Sequence, residues 1–139
     1  MKVLIVDNND SFSYNLKHYI EQCSTEVKVI RGNKVNLNCI DKFTKIILSP
    51  GPGLPSEHPI LSQIIDKAVG SKSILGICLG HQAIAAYFGA TLANLEEVKH
   101  GVTSQLRHYK NCKVFRYLPE RFEVGHYHSW VVQKERFPD

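Results

Sequence analysis

Residues Gly76-Ile77-Cys78-Leu79-Gly80 follow the apolar run Ser73-Ile74-Leu75 and lead into a segment with helical spacing. A nucleophilic side chain at the centre of such a G-x-nucleophile-x-G turn, between strand and helix, is a nucleophile elbow. The turn is tight, so small residues are needed two positions to either side, where bulk would clash as strand gives way to helix. A buried structural cysteine between packing glycines would leave the surrounding strand, turn and helix without explanation. At the amino end of a helix the Cys78 sulphur would lie near unpaired N–H groups and the positive end of the macrodipole, where negative charge is favoured. The N–H of Leu79, the residue after the nucleophile, is then expected to stabilise an oxyanion formed by attack on a carbonyl.

A second segment points the same way. Ile46-Ile47-Leu48 is a short apolar strand that runs into Ser49-Pro50-Gly51-Pro52-Gly53. Proline fixes φ and removes a donor, whereas glycine lets a main-chain N–H approach a ligand with no Cβ in the way. By itself Pro-Gly-Pro-Gly is a turn signal. Ahead of an elbow one βαβ unit downstream, it is expected to supply the second oxyanion donor, from Gly53.

Along the chain, β-branched apolar runs alternate with helical patterns, which predicts an α/β fold with an open, mostly parallel, doubly wound sheet and flanking helices. Strands are expected at Lys2 to Val6, Val27 to Ile30, Lys45 to Leu48 and up to Ile77. A helix capped by Ser11 or Ser13 should run through Glu21, with Phe12, Leu16, Tyr19 and Ile20 as its apolar positions. Ile60 to Val69 should be helical behind Pro59, and Gly80 to Phe88 behind the elbow, stopped by Gly89. Thr91 to Ala93, Val102 to Leu106, Lys113 to Tyr117 and Phe122 to Gln133 are read as a strand-rich tail that extends the sheet. With 139 residues the expectation is one domain over 1–139. Asp7, Ser49 and Cys78 fall at the carboxyl ends of strands, where an open parallel sheet binds its ligand.

Composition excludes several function classes. The net charge of +4 is spread along the chain with no aromatic-interleaved basic stripe, so nucleic acid is not an expected partner. Apolar runs fall far short of the ~18 residues a membrane helix needs. Met1-Lys2 leads straight into Val3-Leu4-Ile5-Val6, a strand and not a signal-peptide core. The four cysteines, at 23, 39, 78 and 112, lack C-x-x-C spacing and read as reduced thiols, which suits a cytoplasmic setting.

Five segments occur in an order that resembles one family: Val6-Asp7-Asn8-Asn9-Asp10-Ser11-Phe12-Ser13-Tyr14-Asn15-Leu16, Ser49 to Gly53, Leu75 to Gln82, His100-Gly101-Val102-Thr103-Ser104 and Tyr127-His128-Ser129. The chain resembles the class I, triad-type glutamine amidotransferases, and within them the small subunits of anthranilate and aminodeoxychorismate synthases. The resemblance implies a flavodoxin-like fold and release of ammonia from L-glutamine through a Cys78 thioester. It implies an oxyanion hole from Gly53 and Leu79, and substrate contacts from Gly51, Pro52, Gly53, Gln82, Ser129 and Trp130. Trp130 stands where a Leu would be expected after His-Ser; a main-chain contact tolerates that change. No cofactor and no metal are expected in this subunit. The implied partner is a larger chorismate-binding synthase subunit that receives the ammonia, met in part by Lys99 to Ser104.

The family also uses a His and a Glu in a late His-Pro-Glu-Ser type motif. None of the seven histidines here is followed two residues later by an acid, and the chain ends at Phe137-Pro138-Asp139. The expectation is a domain lacking its carboxyl-terminal portion, with little steady-state turnover by itself. Two other readings follow: a non-catalytic subunit that binds glutamine or the synthase, and a Cys-dependent ester or lactone hydrolase, which Gln82 and the Pro-Gly loop argue against. His81, three residues after Cys78, is placed either near the thiol or, as the favoured reading, in a structural hydrogen bond behind the elbow. His126 and His128 have metal-like spacing but no evident third ligand. Asp7 and Asp10 flank the end of the first strand, where capping and turns explain them as well as acid–base work does.

Overall fold

The computed structural model describes residues 1–23, 26–108, 112–134 and 137–138. Its contacts group into two compact units, Met1–Leu92 with Val132–Asp139, and Ala93–Val131.

The first unit is built on four parallel strands: β1 (Lys2–Asp7), β2 (Glu26–Arg31), β3 (Lys45–Leu48) and β4 (Ser73–Gly76), in the order β2-β1-β3-β4. The chain winds outward from β1 to β2 and then in the opposite sense from β3 to β4, so the strand order reverses between β1 and β3. Strands buried on both faces read as unbroken apolar runs, and Val3 through Val6 are all at most 2% exposed. Their alternation divides the core. Val3, Ile5 and Ile47 pack on one face with Leu16 of α1 (Phe12–Glu21). Leu4, Val6, Ile46 and Leu48 pack on the other with Leu61, Ile64 and Ile65 of α2 (Pro59–Ala68) and Leu79 and Ala83 of α3 (Leu79–Tyr87). Helices therefore cover both faces of the sheet, as expected for a doubly wound fold. Among the described residues no helix is long and apolar enough to cross a membrane.

Local details differ from the sequence reading in three places. Ser11 precedes α1 but makes no side-chain cap. Instead Asp10 Oδ1 accepts from the Phe12 N–H at 2.8 Å, and the Ser13 hydroxyl donates to Asp7 Oδ1 at 2.8 Å. That bond lets Ser13 be buried, so the inward stripe of α1 is Ser13, Leu16 and Ile20, and Phe12 and Tyr19 are exposed. Pro59 is the first residue of α2 and Val69 lies just past its end. Pro at that position is tolerated because the N–H it lacks would have no intrahelical partner.

The larger correction concerns the tail. The separate short strands expected there are two long ones, β5 (Leu92–Arg107) and β6 (Arg121–Val132), which pair with each other in a sheet of their own and do not extend the parallel sheet. Lys113–Phe115 is a 3₁₀ turn. Within this unit Phe115 and Phe122 pack around His108, whose N–H donates to the Glu120 carbonyl at 3.1 Å. Most of β5 is exposed, with no fully buried residue along its length.

Candidate active site

Cys78 sits between β4 and α3 with φ 52° and ψ −111°, a left-handed backbone in a residue with a side chain. Such a conformation costs about 1–3 kcal/mol and persists only where its surroundings over-determine it. Here they do. The Ile77 N–H donates to the Leu48 carbonyl at 3.0 Å, the Gly80 N–H to Ile77 O at 3.0 Å, and the Gln82 N–H to Cys78 O at 3.0 Å. A Cβ on Gly80 would collide with the Leu48 main chain, and one on Gly76 with Gly80 and the His81 nitrogen. The start of α3 is thus seated directly on the end of β3. The Cys78 side chain is exposed, and all four cysteines are free thiols.

Leu79 is the first residue of α3 and its side chain is buried. Its main-chain N–H belongs to the first turn, whose donors have no intrahelical acceptors. Gly51 adjoins it: a Cβ there would lie 2.8 Å from Leu79 Cδ2 and 2.6 Å from Asn8 Cβ. The Pro-Gly loop and the elbow helix are therefore in contact at Gly51. The loop's own donors can be accounted for one by one. Pro50, Pro52 and Pro55 have none. Ser49 N–H goes to Val6 O at 3.1 Å, and Leu54 N–H to Glu57 Oε1 at 2.8 Å. Among the described residues, Gly51 and Gly53 are left as the loop's N–H groups without an internal acceptor, and Gly53 has φ +76°.

Across the point where strand order reverses, two buried side chains tie the strand ends together. The Asn8 N–H donates to Ser49 Oγ, and Asn8 Nδ2 to Ser49 O, each at 2.9 Å. Asn8 and Ser49 are 2% and 0% exposed, so these bonds form out of competition with water. Asp7 is also spent on structure, accepting from Ser13 and from the Asp10 N–H at 3.2 Å. Neither Asn8 nor the pair Glu57 and His58 is apparent from local sequence, because their partners are set by the loop's path. The one cue was Pro55-Ser56-Glu57-His58-Pro59, a polar turn directly before a helix.

Other expected site residues lie as follows. Gln82 is buried at 8% exposure on α3, one turn beyond Cys78. Pro52 is exposed beside Gly53. Ser129 and Trp130 are half-buried on β6, in the second unit. His81 is exposed on α3, so it does not pack behind the elbow: the next two residues, Gln82 and Ala83, take the inward positions. His126 and His128 are joined by a 3.1 Å hydrogen bond, and the Ser104 hydroxyl is bonded to His126 Nε2 at 2.6 Å. Among the described residues no three His, Cys, Asp or Glu side chains are grouped to hold a metal ion.

The family model for class-I glutamine amidotransferases matches residues 4–139. The anthranilate synthase component 2 of Pseudomonas aeruginosa is 39% identical over 139 residues, spanning 99% of this chain and 69% of that protein. The aminodeoxychorismate synthase component 2 of Serratia marcescens is 40% identical, spanning 99% and 72%, and that of Escherichia coli 41%, spanning 98% and 73%. Among solved structures, a glutamine amidotransferase from Thermotoga maritima superposes with a TM-score of 0.76 at 18% identity, covering 96% of this chain and 62% of that one. That last likeness speaks for the fold alone.

Proposed function

The chain belongs to the class I glutamine amidotransferases, and from that premise we propose that Cys78 takes the side-chain carbonyl of L-glutamine into a thioester and that the ammonia released serves a larger, chorismate-using synthase subunit. The observation that carries the reading is the strained Cys78 backbone at the start of α3, held by Gly76 and Gly80. The Cys78 sulphur adds to the amide carbonyl, and the oxyanion is met by the N–H groups of Leu79 and Gly53. Collapse breaks the C–N bond, and the nitrogen leaves as ammonia once it has gained a proton. Water then adds to the thioester, releasing glutamate and restoring the thiol. Gly51, Pro52 and Gln82 hold the substrate in this reading.

Proton transfer to the leaving nitrogen and from the incoming water requires an acid–base group, a role worth ~10²–10⁴ in rate. The family's late His-x-Glu pattern is not among these 139 residues. The partner reading draws on the Serratia and Pseudomonas relatives, each named as component 2 of a synthase. A cytoplasmic setting, with free thiols and no cofactor, belongs to the same proposal.

The test uses 6-diazo-5-oxo-L-norleucine, a diazoketone with glutamine's carbon skeleton. The expected result is one equivalent bound at Cys78, blocked by excess L-glutamine and lost in Cys78→Ser. Labelling spread over Cys23, Cys39 and Cys112, or unaffected by glutamine, overturns the reading. Hydrolysis of simple esters without any response to glutamine would favour the hydrolase instead.

A further inference from the structure

We propose that Glu57 and His58 are positioning residues that fix the direction of the Gly53 N–H, an inference that rests on the glutaminase reading above. The argument starts from the peptide plane. Pro52 C=O and Gly53 N–H belong to one peptide unit, and no cis peptide bond occurs among the described residues. In a trans peptide the two groups point in opposite directions. The His58 ring nitrogen Nε2 lies 2.9 Å from Pro52 O. A carbonyl oxygen only accepts, so Nε2 carries the hydrogen and donates it. By holding the oxygen, His58 aims the N–H at the opposite end of the same plane.

The following peptide is held as well. Leu54 N–H donates to Glu57 Oε1 at 2.8 Å, so the peptide units on both sides of Gly53 are clamped from the 3₁₀ turn at Pro55–Glu57 and the residue after it. Glu57 can reach back because residue 53 has no side chain: a Cβ there would lie 2.9 Å from the carboxyl carbon and both its oxygens. The positive φ of Gly53 and the carboxylate in its vacant side-chain space are two aspects of one arrangement. Both clamping residues are outside the oxyanion hole itself and touch no reacting atom; they act through the loop.

The experiment measures covalent capture of the diazoketone at Cys78 in His58→Ala, His58→Gln, Glu57→Ala and Glu57→Gln. Iodoacetamide labelling of Cys78 and thermal melting are followed in parallel. The analogue's keto group stands where the amide carbonyl of glutamine would, so a misdirected donor should lower the bond-forming rate and leave the saturation constant unchanged. The expected fall in the alanine variants is about tenfold, less than the ~10²–10³ that accompanies outright removal of an oxyanion donor. The Gln variants, which keep a donor at 58 and a carbonyl acceptor at 57, should recover most of the rate. Iodoacetamide labelling and melting should stay put throughout. Analogue capture at the unsubstituted rate in both alanine variants overturns the proposal. So does a parallel loss with iodoacetamide, which would report general damage to the elbow. Failure of the unsubstituted chain to capture the analogue overturns the glutaminase reading itself, and this inference with it.

Discussion

The parallel-sheet unit and the β5–β6 ribbon use the same alphabet for opposite ends. In the first, each strand is sandwiched, and residues such as Val6 and Leu48 are wholly buried between helices on two faces. In the second, a 16-residue strand runs largely exposed and is held by pairings at particular points: Ser104 with His126, Arg107 with Glu120, and the rings around His108. Two-stranded ribbons are marginal by themselves, because they have one ladder and little enclosed area. The contrast teaches where tolerance to substitution should lie. Strain such as that at Cys78 is affordable only inside the unit whose packing can hold it.

The sharpest test compares two truncations of β-branched residues to alanine. Ile64→Ala in the core should cost about 2–5 kcal/mol, whereas Val98→Ala, at a position 62% exposed on β5, should stay within about 0.5 kcal/mol. Urea unfolding followed by hydrogen exchange would read both, and equal costs would erase the distinction between the units. Next come two glycines. Gly80→Ala forces a methyl into the Leu48 main chain and should cost about 1–3 kcal/mol or more. Gly101→Ala, at φ +70° with open space around it, should show only the left-handed penalty of about 1–2 kcal/mol, measured the same way.

A smaller effect is expected from Arg107→Ala. Its partner Glu120 is 3.1 Å away, but both side chains are well exposed, so the loss should fall within about 0.2–1 kcal/mol and shrink with added salt. The smallest concerns the sheet unit's own surface. The Tyr87 hydroxyl donates to Asp66 Oδ1 at 2.9 Å. That hydrogen bond, then desolvation and the carboxylate's charge, hold the phenol above its usual 10.0. A raised value in the folded state means the contact stabilises below pH about 10 and is lost as pH rises through the folded value. Tyrosinate absorbance in Asp66→Asn should show ionisation moving back down. If this contact and the Arg107 pair prove equally slight, exposure sets the worth of a contact, whichever unit holds it.

Much of the first unit is legible in the sequence because its rules are local. Val3 to Val6 and Ile46 to Leu48 read as buried strands from their unbroken apolar runs, and Gly76, Cys78 and Gly80 announce the elbow by spacing alone. The inward face of α1 differs from the sequence reading because Ser13 looks polar; its burial depends on Asp7, six residues earlier, accepting its hydrogen bond. The tail was misread because short apolar stretches separated by Glu96, Glu97 and Lys99 suggest interrupted strands, while pairing with a partner strand carries the extended backbone straight through them. Lys113 to Tyr117 alternates like a strand but has no partner strand and closes into a turn. Leu79 and Gly53 are proposed as oxyanion donors from their motifs, whereas the hold that Glu57 and His58 have on the loop depends on three-dimensional path.

The position of β1 in the sheet bears on how the chain is made. It leaves the ribosome before β2, β3 and β4, yet it lies inside the sheet, between β2 and β3. Asn8 waits for a partner 41 residues further on, an interval of roughly 2–8 s at translation rates of ~5–20 residues per second. During that time one flank of Val3 to Val6 can be covered by β2 and the other cannot. The nascent chain therefore passes through a stage in which an apolar strand has an open edge, which β3 closes and the Asn8–Ser49 bonds then lock at its end.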